Sequence, residues 1–197
     1  MELDSRVAHI PGYMTTSELE WIFRTSESLL SGSVIVEIGS YYGKSAAAWC
    51  SGAGVDKTVI CVDTWEGTPD TVFPGGPLEP YMRENVFERF QDSMRSLGFY
   101  PCALRMNSVN AARLFAPRSL DLVFIDGDHF KIERDLDAWV PKVKIGGLVC
   151  GHDWAAGPWY VGNKVLCRFP QVALLLGSIW GFVVKEQEVE VSAEATL

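Results

Sequence analysis

The chain has 197 residues, with 25 acidic against 17 basic side chains and a formal net charge of −8 at pH 7. That length suits one domain over 1–197 with a full core, and a hydrophobic content of 48% fits a compact soluble protein rather than a disordered one. The acidic balance argues against a nucleic-acid partner, no apolar run reaches the roughly 18 residues of a membrane span, and "MELDSRVAHIPGY" lacks the basic head and apolar stretch of a secretory signal, so a cytoplasmic protein is expected.

The N-terminal segment, 1–32, is expected to be helical. In "TTSELEWIFRTSESLLSG" Thr15 and Glu18 fit a capping box, and Leu19, Ile22, Phe23, Leu29 and Leu30 form an apolar face ahead of a stop at Gly32. Four short apolar runs follow, each ending in an acidic or polar residue: "VIVEIG" (34–39), "TVICVD" (58–63), "LDLVFID" (120–126) and "GGLVCGHD" (146–153). Such runs suit strands of a parallel sheet buried on both faces. A weaker strand is expected near "CALRM" (102–106). Helical stretches separate them: "GKSAAAWCSG", "PYMRENVFERFQDSMRSLG", "SVNAARLF" and "KIERDLDAWVPKV". The alternation predicts an α/β fold. Near the end, "QVALLL" and "IWGFVVK" flank Gly177-Ser178, which predicts an antiparallel hairpin. The tail 186–197 reads as frayed. Five cysteines without a C-x-x-C pair are expected to be buried, reduced thiols.

The first strand's end, "VEIGSYYGKS", admits two readings. A phosphate loop needs Gly, four residues, then Gly-Lys-Ser. Counting back from Gly43 puts the first glycine at position 38, which is Ile38, so the spacing is one short. The dinucleotide fingerprint fails as well. What remains is an acid, Gly39, three residues and Gly43 ahead of a helix. There Gly39 supplies a tight turn and Gly43 lets backbone approach a ligand. The second strand ends at Asp63, where such folds hold ribose hydroxyls.

Taken in order, "VEIGSYYGKS", "VDTWEG", "LVFIDGDH" and "GGLVCGHDW" resemble class I S-adenosylmethionine-dependent methyltransferases. They are most similar to small O-methyltransferases of the catechol and caffeoyl-CoA kind and to bacterial relatives with "DGDH" and "GHDW". The resemblance implies a Rossmann-like, seven-stranded, mostly parallel sheet with an antiparallel last strand and helices on both faces. It implies S-adenosyl-L-methionine as cofactor and a small-molecule hydroxyl as acceptor. A cofactor-binding protein without catalysis is the rival reading.

By the same resemblance Glu37, Gly39, Ser40, Gly43 and Ser45 form the cofactor loop, with Lys44 either solvated or near the methionine carboxylate. Asp63 accepts from the ribose, Trp65 packs near the adenine or fills a loop, and Asn107 and Ser108 contact the adenine unless Ser108 caps the next helix. Asp126 serves cofactor and chemistry, and Asp128 caps. His129 occupies the place of the catechol-type lysine that takes the acceptor proton, and an imidazole can do so near neutral pH. Its bland alternative is a hydrogen-bonded histidine at a helix start. Asp126, His152 and Asp153 stand where metal-dependent relatives hold magnesium through oxygen. His152 departs from that pattern and suits manganese better, so chelation is expected to matter less than losing His129. Asp153 is a further candidate for the chemistry. The loop "EGTPDTVFPGGPLEP" (66–80), Trp154, Trp159 and Tyr160 are expected to frame an acceptor pocket or to pack the core. No oligomeric state is legible.

Overall fold

The computed structural model describes residues 2–67, 85–155 and 161–186. A short 3-10 turn, Ser5–His9, precedes α1 (Thr16–Ser28). Then follow β1 (Val34–Ile38), α2 (Lys44–Ala53), β2 (Thr58–Asp63), α3 (Val86–Ser96), β3 (Cys102–Arg105) and α4 (Ser108–Ala112). The second half holds β4 (Leu120–Ile125), α5 (Ile132–Trp139), β5 (Val143–Gly151), α6 (Val161–Arg168), β6 (Ala173–Leu176) and β7 (Ile179–Val183). The strands form one sheet in the order β3-β2-β1-β4-β5-β7-β6. β1 to β5 pair in parallel, and β7 runs antiparallel to both β5 and β6. The expected fold is therefore the observed one, and the Gly177-Ser178 turn is the predicted hairpin.

Alternation within the strands explains two buried faces. Ile35, Leu122 and Phe124 point to one side with Trp49, Leu19 and Phe90, while Val36, Val123 and Ile125 point to the other with Leu136, Trp139 and Trp180. Apolar side chains on both sides leave no solvated face, which is why the sequence shows continuous runs.

Local expectations fail in four places. α1 ends at Ser28, so Leu29 caps it and Leu30 is exposed rather than part of an apolar face. The stretch "KIERDLDAWVPKV" is not one helix: α5 stops at Trp139, a 3-10 turn spans Val140–Lys142 around Pro141, and β5 begins at Val143. α4 stops at Ala112, short of the expected Phe115. Cys50, Cys61 and Cys150 are buried, but Cys102 and Cys167 are exposed; all five are free. Cys102 lies on β3, an edge strand, where one face lacks full cover.

Candidate functional site

The strand order reverses between β1 and β4. At such a switch point the flanking loops part and leave a crevice beyond the carboxyl ends of the strands. A cavity of about 970 Å³ opens there, lined by Gly39, Tyr41, Asp63, Met106, Ser108 and Asp126 among others. That is at the upper end of the roughly 300–1,000 Å³ common for ligand pockets.

Gly39 sets the floor. Its φ is +86°, and a Cβ there would overlap the Asp126 carbonyl where the β1 and β4 ends approach. Only glycine satisfies both conditions. Gly43, by contrast, does not face the cavity: a Cβ would lie 2.6 Å from Met94 Cε and 3.0 Å from Phe90. Its missing Cβ leaves room for α3 against the start of α2. Lys44 Nζ donates to the Gly12 carbonyl at 3.3 Å, so it is held by the N-terminal segment rather than free in solvent.

Beneath the turn, Glu37 is fully buried. The Ser40 hydroxyl donates to Glu37 Oε2 at 2.6 Å, whereas Oε1 has no hydrogen-bond partner among the described residues. Ser45 is buried beside Glu37, and its hydroxyl favours the charged carboxylate. Thus Glu37, Ser40 and Ser45 support the loop from below rather than line the cavity. Burial, against the help of the two hydroxyls and with Asp126 and Asp63 nearby, pushes Glu37 from 4.5 up to about 8. The folded state therefore holds the proton more tightly, and the resulting stability is complete below about 4.5 and is lost as pH rises through about 8. Glu37→Gln should flatten that slope in urea melts between pH 5 and pH 9; an unchanged slope would show that the buried carboxylate ionises without cost.

Asp63 closes the second strand. Its Oδ2 accepts from Tyr41 N–H at 2.9 Å and its Oδ1 from Trp65 N–H at 2.8 Å. Burial raises its pKa against these backbone bonds. Trp65 is turned away from the crevice: it is 3% exposed, donates through Nε1 to the Tyr41 carbonyl, and packs on Phe87 and Phe90. The adenine-packing reading of Trp65 is therefore corrected to a core aromatic that braces the turn. Tyr41 and Trp65 adopt positive φ, at 48° and 53°, just beyond the β1 and β2 ends that border the crevice, and Asp153 does so at 61° just beyond β5. Such backbone strain concentrates at functional sites.

Asn107 and Ser108 both line the cavity. Asn107, not Ser108, caps α4, its side chain accepting from Val109 N–H at 3.1 Å. The Ser108 hydroxyl instead accepts from Trp139 Nε1 at 2.8 Å. Asp135 lines the same wall, and burial raises it to about 6. No motif pointed to it; its place on the buried face of α5 was the available signal. Asp128 caps the 3-10 turn His129–Lys131, as expected.

The titratable centre sits where β4 and β5 end. His129 Nε2 lies 2.5 Å from Asp153 Oδ2 and 3.7 Å from Asp126 Oδ1. His152 Nδ1 lies 3.3 Å from Asp153 Oδ1 and 3.9 Å from Asp126 Oδ1. Burial works against the charged imidazoles, but the two carboxylates overcome it and push His129 up to about 10 and His152 up to about 9. Against its own burial, Asp153 is held far below the usual carboxylate range by the two histidines, whereas burial raises Asp126. One ligand atom each from Asp126, His152 and Asp153 falls within 4.8 Å of the others. Two carboxylates and an imidazole so placed fit a divalent cation, and the nitrogen favours manganese, iron or zinc over magnesium. Trp154 is half-buried against the α5 side of the core. Residues 68–80 of the proline-rich loop, Trp159 and Tyr160 lie outside the described residues.

A seven-stranded sheet, parallel but for β7, with a crevice at the β1–β4 switch point is the fold of class I S-adenosylmethionine-dependent methyltransferases. A family model described as a methyltransferase domain matches residues 36–154, and the chain belongs to that family. An uncharacterized protein of Sinorhizobium fredii is 30% identical over 124 residues, which are 60% of this chain and 13% of that much longer relative. Among solved structures, a Corynebacterium glutamicum protein superposes with a TM-score of 0.69 at 14% identity, over 94% of this chain and 92% of its own. A putative caffeoyl-CoA O-methyltransferase from Staphylococcus aureus does so with 0.62 at 15% identity, over 91% and 88%.

Proposed function

We propose that this cytoplasmic enzyme moves the methyl group of S-adenosylmethionine to a hydroxyl oxygen of a small-molecule acceptor. The observation that carries this reading is the convergence of Asp126, His129, His152 and Asp153 beside the cofactor crevice. A sulfonium is already a reactive methyl donor, so the protein chiefly aligns the acceptor and removes its proton. An alcohol or phenol needs that removal more than an amine does. The likeness to an O-methyltransferase fold agrees with this.

In this reading Gly39 and Tyr41 offer backbone to the methionine part, Asp63 accepts from the ribose, and Asn107 and Ser108 meet the adenine. Asp126, His152 and Asp153 would hold a divalent cation, which when bound polarises the acceptor oxygen and lowers its pKa. His129 would receive the acceptor proton at Nδ1, because its Nε2 already faces Asp153 Oδ2 at 2.5 Å and so carries hydrogen. Asp153 orients that imidazole, and Asp126 faces both the crevice and the cation site. The orientation of His152 Nδ1 toward the acidic pair supports a cation there, so both chelation and the loss of His129 are expected to have large effects.

Transfer of labelled methyl to panels of phenols, sugar hydroxyls and amines tests the proposal. Turnover on hydroxyls, lost with EDTA and restored by Mn²⁺, is expected. Turnover on amines alone would overturn the oxygen assignment, and full activity after thorough chelation would overturn the cation.

A further inference from the structure

We propose that Glu18, on the N-terminal helix, is a positioning residue that fixes the ring of His152 so that Nδ1 faces the Asp126–Asp153 pair. This rests on the cation reading above and assigns a role outside the segment matched by the family model, which begins at residue 36.

Glu18 is 3% exposed and His152 6%. Their side chains meet across 134 positions of sequence, with His152 Nε2 3.2 Å from Glu18 Oε1. The same oxygen accepts from Ser178 N–H at 2.8 Å. Glu18 Oε2 accepts from Thr15 N–H at 2.8 Å and from the Thr15 hydroxyl at 2.7 Å. The carboxylate is thus fixed by two donors on each side, and these bonds with His152 hold it charged despite burial. An acceptor-only group at Nε2 requires that nitrogen to carry hydrogen. In a neutral imidazole the lone pair then sits on Nδ1, the atom that points at Asp126 and Asp153. Metal-ligating histidines commonly donate their second N–H to a carboxylate, which sets tautomer and ring orientation.

Two further features keep this arrangement in register. The hairpin turn makes room for it: a Cβ on Gly177 would lie 2.5 Å from Glu18 Oε1. Trp180 Nε1 donates to the His152 carbonyl at 2.8 Å, holding the backbone of the same residue. The N-terminal helix and the terminal hairpin therefore meet at one histidine of the proposed cation site. As a capping box alone, Glu18 would need only Thr15; the contact with His152 is surplus to that task.

The test combines nitrogen NMR of the Zn²⁺-loaded wild-type protein with Mn²⁺ titration of variants. In the wild type, His152 should carry hydrogen on Nε2 and metal on Nδ1. Glu18→Ala should weaken Mn²⁺ binding by about 10- to 100-fold, the usual consequence of losing such a partner. Thr15→Ala, which weakens the cap but leaves Glu18 against His152, should bind Mn²⁺ as the wild type does. Zn²⁺ on Nε2, or hydrogen on Nδ1, would overturn the proposal even if Glu18→Ala fails to fold. Wild-type affinity in a folded Glu18→Ala would overturn the positioning role alone. If the wild type binds neither Zn²⁺ nor Mn²⁺, the cation reading falls and this inference with it.

Discussion

Replacing His129 with alanine should lower kcat by roughly 10²- to 10⁴-fold, the usual range for a general base, while S-adenosylmethionine affinity stays within about twofold. The reason is local. His129 Nε2 faces Asp153 and Asp126, and His129 is absent from the residues that line the crevice. The pH profile carries more information than the rate. A free histidine would become a competent base near pH 6.5, but the carboxylates push His129 up to about 10. Only neutral imidazole accepts a proton, so with the cation site empty a competent base would form only as pH climbs toward that value. With Asp153 committed to a divalent cation, less negative charge holds the imidazolium, and the acid limb should move to lower pH. Full kcat in His129→Ala, or an acid limb of the Mn²⁺-loaded enzyme that persists unchanged in that variant, would refute the base assignment.

The second large effect is expected at Asp63. A hydrogen bond to a charged group is worth about 1.5–3 kcal/mol, so Asp63→Ala should weaken S-adenosylmethionine binding by about 10- to 150-fold. Both carboxylate oxygens also tie down backbone, at Tyr41 and at Trp65. The substitution should therefore loosen the turn after β1 together with the ribose contact. Asp63→Asn, which keeps one acceptor, should fall between the two, and calorimetry on both variants separates the contributions. Unchanged affinity in Asp63→Ala would leave Asp63 a brace for two loops and nothing more.

The sheet was legible because strands buried on both faces are mostly apolar, and "VIVEI", "TVICVD" and "LDLVFI" carry only one or two polar residues each. The hairpin was legible because Gly177-Ser178 can do little else between two apolar runs. The site residues at strand ends were likewise visible, since Asp63, Asp126 and Asp153 each terminate such a run. What escaped was whatever depends on contacts distant in sequence. Trp65 follows Asp63 by two positions and reads as a cavity aromatic, yet Phe87 and Phe90 draw it into the core. Gly43 reads as a ligand glycine, yet Met94 and Phe90 occupy the space its missing Cβ leaves. Glu18 reads as a helix cap, which it is, and nothing near it in sequence announces His152. The perturbed protonation of His129 was hidden in part for the same reason: Asp126 lies three residues away, but Asp153 comes from the end of another strand.

Calorimetric titration of the purified protein with S-adenosylmethionine, beside an identical titration with ATP, bears most directly on the crevice between β1 and β4. Saturable binding of S-adenosylmethionine at one site per chain, weakened in Asp63→Ala and accompanied by no heat from ATP, is the expected result. Saturable binding of ATP with none of S-adenosylmethionine would contradict the assignment of that crevice and return the Gly43-Lys44-Ser45 stretch to the phosphate-loop reading.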